Sequence, residues 1–430
     1  MKSTFKKIIS TIIQFEASLV LKKYKPKIIA VTGSVGKTST KDAIFSVMSE
    51  FVHIRKSEKS FNSDIGIPLT ILGVQNAWSN PITWLKNILI GIEILIFKVD
   101  YPKWLVLEVG ADRPKDIKNI TRWLKPDIAV LTAFAEVPVH VEFFGSRDEV
   151  VREKKYLAEA IKKDGILIVN GDDADSMKIR GSLKHNSIVY GTHKDANLKA
   201  SDYKIYYDKD GKAEGVTYKV EQGQNNFPVV IKGSLGVQNM YSSLAGLSVA
   251  LSQKINLIDA SRVFLNHETP KGRMKIISGL KDITILDDTY NASPIAAAQA
   301  LQTLSEVSGK GRKVAVLGDM MELGKHSVDE HYKIGKLVKE CADILVTVGI
   351  RSRKIAEGAQ QAGMDIKSIF QFDNSVEAAA KIKDIVKKDD FVLVKGSQSV
   401  RAERIVKEIM LDKEKARELL VRQDDEWKHR

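Results

Sequence analysis

The chain has 430 residues, 43% of them hydrophobic and 28% charged, which predicts two or three domains with cores of their own and excludes a wholly disordered or fibrous protein. One cysteine, Cys341, excludes an internal disulfide framework and a multi-cysteine metal cluster, and fits a reducing compartment such as the cytoplasm. Lysine plus arginine (67) exceed aspartate plus glutamate (54) by 13, a charge that suits nucleotides, phosphorylated substrates, nucleic acid or an acidic membrane surface without choosing among them.

In residues 1–26, Phe5, Ile8, Ile9, Ile12, Ile13, Leu19 and Val20 recur at helical spacing, with lysines at 2, 6 and 7 and again at 22 and 23. This predicts a basic amphipathic helix whose apolar face either packs on its own domain or meets anionic lipid at the inner face of a membrane. No small-residue cleavage site follows, so a signal peptide is not expected. A spanning helix needs about 18–20 apolar residues. The longest run, 88–97, contains Glu93 and lies between Lys86 and Lys98.

From Lys27 onward, short β-rich runs alternate with helical patterns, the signature of a parallel sheet covered by helices. Strands are predicted at 28–32, 104–109, 128–132 and 165–170. Around 200–235 the pattern changes: runs 203–207 and 216–220 flank Asp210-Gly211, a hairpin signal, and 227–231 reads as a further strand. A helical pattern at 239–251 follows, then a second α/β series over 275–410 with strands near 283–286, 313–317, 344–348 and 391–394. The stretch 268–272, Glu-Thr-Pro-Lys-Gly, separates the two series. From Leu411 the chain reads as a charged helix or frayed tail. The expected class is α/β: a helix over 1–26, a central P-loop ATPase domain with a mostly parallel sheet over 27–270, and a Rossmann-like C-terminal α/β domain over 271–430.

The sharpest local signal is Thr32-Gly33-Ser34-Val35-Gly36-Lys37-Thr38, which ends a predicted strand and opens a helix at about Ser39. Glycines let backbone amides close around phosphate oxygens, and the helix N-terminus adds partial positive charge. Lys37 would reach the phosphates and the Thr38 hydroxyl a magnesium ion. Two residues separate the glycines where the usual loop has four; a glycine turn that only caps a helix is the bland alternative. Glu108 ends a predicted strand just before Gly110, where a parallel sheet presents ligands, and His140 follows what reads as another strand. Either alone would be structural; their value lies in sharing a sheet edge with the phosphate loop.

These pieces together resemble the ATP-dependent Mur ligases, specifically the branch that adds D-alanyl-D-alanine. The resemblance spans about residues 27–410 and rests on Thr-Gly-Ser-Val-Gly-Lys-Thr (32–38), Phe-Asn-Ser-Asp-Ile-Gly-Ile-Pro-Leu-Thr (61–70), Leu-Glu-Val-Gly-Ala (107–111), His-Val-Glu-Phe-Phe-Gly-Ser (140–146) and Asn-Gly-Asp-Asp (170–173). In the second half it rests on Asp-Asp-Thr-Tyr-Asn-Ala-Ser-Pro (287–294), Leu-Gly-Asp-Met-Met-Glu-Leu-Gly (317–324) and Val-Lys-Gly-Ser (394–397).

The resemblance implies a ligase of peptidoglycan precursor synthesis that activates the carboxylate of a UDP-linked muramoyl tripeptide with ATP and Mg2+ and joins it to D-alanyl-D-alanine. It implies a cytoplasmic monomer with no nucleic-acid partner, and leaves peripheral membrane contact open. Gly33, Ser34, Val35, Gly36, Lys37, Thr38 and Ser39 would hold the ATP phosphates, Asn239 the adenine, and Arg273, Asp288, Tyr290 and Asn291 the nucleotide from the C-terminal side. Gln238 stands where the family has a histidine. Thr38 and Glu108 would hold one magnesium and His140 a second, with Lys154 as a carbamylated metal ligand; the adjacent Lys155 is the alternative position. Lys37, His140 and Lys154 would act in catalysis, and Asn62, Lys395 and Ser397 would contact substrate. The resemblance also predicts a departure. Relatives carry an N-terminal uridine-nucleotide domain of about a hundred residues, whereas here the phosphate loop starts at residue 32, leaving room for one helix, and segment 76–102 looks added. The rivals are a folylpolyglutamate- or poly-γ-glutamate-type ligase, and an ATP-binding scaffold at a membrane surface.

Overall fold

The computed structural model describes residues 3–58, 61–78, 80–138, 140–424 and 427, with side chains from residue 8 onward. Runs of β-branched and aliphatic residues form the central parallel strands, buried on both faces as helices on either side of a sheet require. The first sheet has nine strands: β1 (Lys27–Thr32), β2 (Ile54–Lys56), β3 (Trp104–Glu108), β4 (Ile128–Leu131), β5 (Ile166–Asn170), β6 (Asn186–Gly191), β7 (Leu198–Tyr207), β8 (Ala213–Gln222) and β9 (Asn225–Lys232). Their order is β2-β3-β1-β4-β5-β6-β7-β8-β9, parallel as far as β7 and antiparallel from there. The predicted hairpin at Asp210-Gly211 is present with longer arms than expected.

The second sheet comprises β10 (Lys275–Ser278), β11 (Thr284–Asp288), β12 (Lys313–Gly318), β13 (Ile344–Val348), β14 (Ile369–Phe372) and β15 (Phe391–Lys395), in the order β10-β11-β15-β12-β13-β14. Only β10 runs antiparallel to its neighbour. The four strands not foreseen are β2, β6, β10 and β14. Three are short edge strands, and β6 opens on Asn-Ser, so their apolar runs are interrupted.

Helix α1 (Ser3–Tyr24) lies on α3 (Gly66–Leu72) and α4 (Pro81–Ile96); α2 (Lys37–Ser49) lies on the helix Val237–Ser252. The single apolar face expected for α1 is in fact two. Ile9, Ile13, Ala17 and Val20 are buried, whereas Ile8, Ile12 and Phe15 are exposed. Phe5 and the lysines at 2, 6 and 7 lie outside the described side chains. Segment 76–102, read as an addition, supplies α4. Asn80 caps its start by accepting the Ile82 and Thr83 amides at 3.0 and 3.2 Å, and Lys23 of α1 caps its end by donating to the Ile94 and Leu95 carbonyls at 2.8 and 3.0 Å. Of the two readings of the tail, the helix is present in short form, as the turns Lys413–Lys415 and Ala416–Leu419, and the chain then packs back: Leu420 and Val421 are buried, and Arg422 pairs with the fully buried Glu403 at 2.8 Å.

Where α1 meets α4, Gly91 leaves room for Glu16; a Cβ there would sit 2.3 Å from Glu16 Oε2. That oxygen is buried without a hydrogen-bond partner, and burial pushes the Glu16 carboxyl up from 4.5 to about 7. A carboxyl raised by folding contributes stability that is present below its unfolded pKa and lost as pH rises through the folded one. Glu16→Gln should therefore raise the thermal midpoint at about pH 8 and leave it unchanged at about pH 4. Equal shifts at both pH values, read by circular dichroism melts, would show that ionisation of Glu16 is not what costs stability.

Candidate active site

β1 ends at Thr32, and the loop that follows turns into α2 through Gly36, whose φ of +84° favours glycine. The amides of Ser34 and Val35 donate to the Ala133 carbonyl beyond β4 at 2.7 and 3.3 Å, fastening the loop to the neighbouring strand end. Lys37 folds back onto the Gly33 carbonyl at 2.9 Å, and burial lowers its pKa although Glu108 pulls the other way. Register places Val31 beside Glu108, so the ends of β1 and β3 meet. Thr38 Oγ1 donates to Glu108 Oε2 at 2.9 Å, and Asn62 Nδ2 donates to Glu108 Oε1 at 3.0 Å.

His140 does not follow a strand directly. β4 ends at Leu131, and His140 occupies a left-handed turn (φ +71°) ahead of the 3-10 turn Val141–Phe143. Its Nδ1 lies 2.8 Å from Glu322 Oε2, contributed by the second half of the chain, and its Nε2 lies 3.5 Å from Asp112 Oδ1. Burial holds its pKa below the ordinary value against the pull of both acids. Lys154, in the helix Arg147–Glu159, turns into the same space. It makes no hydrogen bond or ion pair among the described residues, and burial, with Lys37 nearby, lowers its pKa to about 7. Lys155 points away from the site, half-buried and 3.4 Å from Glu159.

The facing wall comes from the second sheet. Arg273 lies 4.2 Å over the Tyr290 ring and its buried Nε has no hydrogen-bond partner. With Asn291, Ser293, Ser397 and Gln398 these residues close a cavity of about 680 Å3 that also holds Ser34 to Thr38, Asn62, Glu108, His140 and Lys154. Asp112, Glu322, Ser293, Gln398 and Trp427 were not singled out from sequence. Asp112 and Glu322 lie next to or within motifs that were, and that adjacency was the available signal.

The expected contacts Lys395, Asp288 and Asn239 are engaged in bonds within the protein, whereas Ser397 faces the cavity. Lys395 is buried, donating to Asp288 Oδ2 at 2.6 Å and to the Asn291 carbonyl at 2.9 Å, so both it and Asp288 are committed to each other. Ser397 does line the cavity, with its hydroxyl accepting the Met321 amide at 2.9 Å. Asn239 is buried away from the cavity lining, its amide donating to Ser234 and to the Leu235 carbonyl at 3.0 and 2.7 Å.

Among the described residues no three His, Cys, Asp or Glu converge to hold a metal. Oxygen donors are nevertheless gathered at Thr38 and Glu108. A second cavity, of about 810 Å3, adjoins the first past Thr38, Arg273 and Tyr290, and is walled by Phe61, Trp78 and Trp84.

Two α/β units, a phosphate loop on the first and a facing Arg-Tyr pair on the second define a nucleotide-using enzyme built around an inter-sheet cavity. The pattern of the Mur ligase middle domain matches residues 31–247 and that of the Mur ligase glutamate ligase domain matches residues 272–398, so the chain belongs to the Mur ligase family. It is 28% identical to the UDP-N-acetylmuramoyl-tripeptide–D-alanyl-D-alanine ligase of Bacillus subtilis (strain 168) over 401 residues, covering 93% of this chain and 79% of that protein. It is similar in structure to the MurF ligase of Thermotoga maritima in complex with ADP, with a TM-score of 0.75 and 25% identity over 95% of this chain and 84% of that one. MurF from Acinetobacter baumannii shares the fold, with a TM-score of 0.75 and 24% identity over 92% of this chain and 79% of that one.

The Lys395–Asp288 pair predicts a structural phenotype. Removing one partner of a buried pair typically costs about 3–5 kcal/mol because the other charge is left uncompensated. Lys395→Met should lower unfolding stability by that order in urea titrations. A variant of unchanged stability with a raised KM for dipeptide would instead make Lys395 a substrate ligand.

Proposed function

We propose that the protein is an ATP-dependent ligase of peptidoglycan precursor synthesis, working in the cytoplasm, that joins D-alanyl-D-alanine to a UDP-N-acetylmuramoyl-tripeptide by an amide bond. The observation that carries this reading is the convergence of Lys37, Thr38, Glu108, His140 and Lys154 on one cavity closed by Arg273 and Tyr290. The resemblance to the Bacillus subtilis ligase supplies the substrates.

ATP supplies the phosphoryl group that turns the tripeptide carboxylate into an acyl phosphate, which the dipeptide amine opens with loss of phosphate. Lys37 and Arg273 offset the negative charge that gathers when carboxylate and phosphates meet, and stabilise it as it moves during transfer. Gly36 and the start of α2 turn the loop so that backbone and helix end face the phosphates. Tyr290 and Asn291 hold the nucleotide from the second sheet, and that wall excludes water from the activated carboxyl.

Magnesium fits the oxygen donors of Thr38 and Glu108, with His140 and a carbamylated Lys154 as further ligands, and when bound would neutralise phosphate charge. The unpartnered, buried Lys154 amine supports its choice over Lys155, since carbon dioxide adds to the uncharged amine. We assign the muramoyl peptide to the second cavity, where Phe61, Trp78 and Trp84 offer apolar walls beside Lys271, Arg273 and Arg417.

Release of ADP and phosphate that requires both the uridine-linked tripeptide and the dipeptide tests the reading; hydrolysis that ignores both would leave an ATP-binding scaffold. Lys37→Ala should cost on the order of 10²–10³ in rate with the fold intact, the usual effect of removing one such electrostatic contact. Near-normal turnover in the folded variant would remove the loop from the chemistry. Lys154→Ala should be inactive and partly rescued by small carboxylates, whereas Lys155→Ala should keep most activity; the reverse ranking would move the modification to Lys155.

A further inference from the structure

We infer that α1 and α4 together form a docking face for an anionic lipid surface. A helix on the outside of a domain needs one apolar stripe to pack against its core. α4 has two. Trp84, Gly91 and Ile94 are buried, with Asn87 between them, and on the opposite side Ile82, Leu85, Leu89, Ile92 and Ile96 recur at the same helical spacing in solvent. Ile82 is 78% exposed and Ile96 68%. α1 repeats the arrangement, with Ile9, Ile13, Ala17 and Val20 inside and Ile8, Ile12 and Phe15 outside, Phe15 at 63%.

The two outer stripes belong to one surface. The helices run side by side in the same direction: Glu16 fits against Gly91, and farther along both helices Lys23 and Tyr24 reach the carbonyls at the end of α4. Their inner sides share one core with α3 and with Leu105 and Leu107 of β3, so their outer sides face solvent together. An apolar area of this extent marks an interaction site.

Two features favour lipid over protein. The outer side chains are almost all isoleucine and leucine, with Phe15 and Phe97, whereas protein-binding hot spots are enriched in Trp, Tyr and Arg and depleted of Leu. The exposed lysines Lys22, Lys25, Lys86 and Lys98 border the face, against the acids Glu93 and Asp100. Aliphatic side chains in the acyl boundary with lysines at headgroup level describe an interfacial helix pair. Among the described residues no helix is long and apolar enough to cross a membrane, so the pair lies on the surface. Trp84 on the inner side of α4 lines the second cavity, so docking would hold that cavity beside the bilayer.

Sedimentation of the full chain with vesicles tests this. Binding is expected to phosphatidylcholine vesicles containing phosphatidylglycerol at low salt, weaker at high salt, and absent with phosphatidylcholine alone. Leu89→Ser with Ile92→Ser should abolish it, and Lys86→Gln and Lys98→Gln should each weaken it about fivefold, the weight of about 1 kcal/mol per surface lysine. Circular dichroism should be unchanged, since all four side chains point outward. A folded protein that stays in the supernatant at low salt overturns the inference, as does equal binding to neutral vesicles or undiminished binding by the serine variant. So does a dimer in sedimentation equilibrium that the serine variant dissolves while vesicles remain unbound, which would make a second copy the occupant.

Discussion

A parallel sheet places the carboxyl end of every strand, and the loop that follows it, along one edge, and both sheets here turn that edge toward the same cavity. The loops after β1, β3 and β4 contribute Ser34 to Thr38, Asp112 and His140; those after β11, β12 and β15 contribute Tyr290, Glu322 and Ser397. Register makes the edge a chemical site rather than a collection of turns. Val31 pairs with Glu108, bringing the phosphate loop to the carboxylate, and Asp288 pairs with Lys395, so the second sheet's end is closed by its own buried ion pair. That pair holds the Asn291 carbonyl and accounts for the position of the loop carrying Tyr290.

Charge in the cavity is unevenly satisfied. Glu108 is held by Thr38 and Asn62, whereas among the described residues Lys37 finds only a backbone carbonyl, Lys154 finds nothing, and one guanidinium nitrogen of Arg273 is left over. Buried cations without counter-ions are costly, and burial lowers the pKa of both lysines. The fold carries that cost where anionic groups can offset it, and fixed cations need no rearrangement as a phosphoryl group moves. His140 ties the halves together through Glu322, so the distance between the two sheets is felt directly at the site.

The same economy explains the outer layer. Burying the Glu16 carboxyl against Gly91 lets α1 approach α4 closely, and Lys23 then satisfies the carbonyls at the end of α4. The pair is thus well fixed on its inner side while leaving two aliphatic stripes outside, a surface that solvent alone does not favour.

Much of this was legible in the order of residues. Glycine spacing at 33–36 with Lys37-Thr38, the aliphatic runs that end at Glu108, and the Asp-Asp-Thr-Tyr-Asn stretch are local signals, because backbone geometry and strand burial act on neighbouring residues. What could not be read depends on which distant residues meet. The pairing of β11 with β15 sets Lys395 against Asp288, and the helix that carries Asn239 sets its amide on Ser234, partners that the local motifs do not name. Glu322 met His140 only when the two sheets came together, and Asp112 met it only when the loops after β3 and β4 did. For α1 the sequence determined that a helix would be apolar, since periodicity is local. Only the tertiary structure decided that Ile9 and Ile13 go inside while Ile8 and Ile12 stay out, because one core has room for one side of a helix.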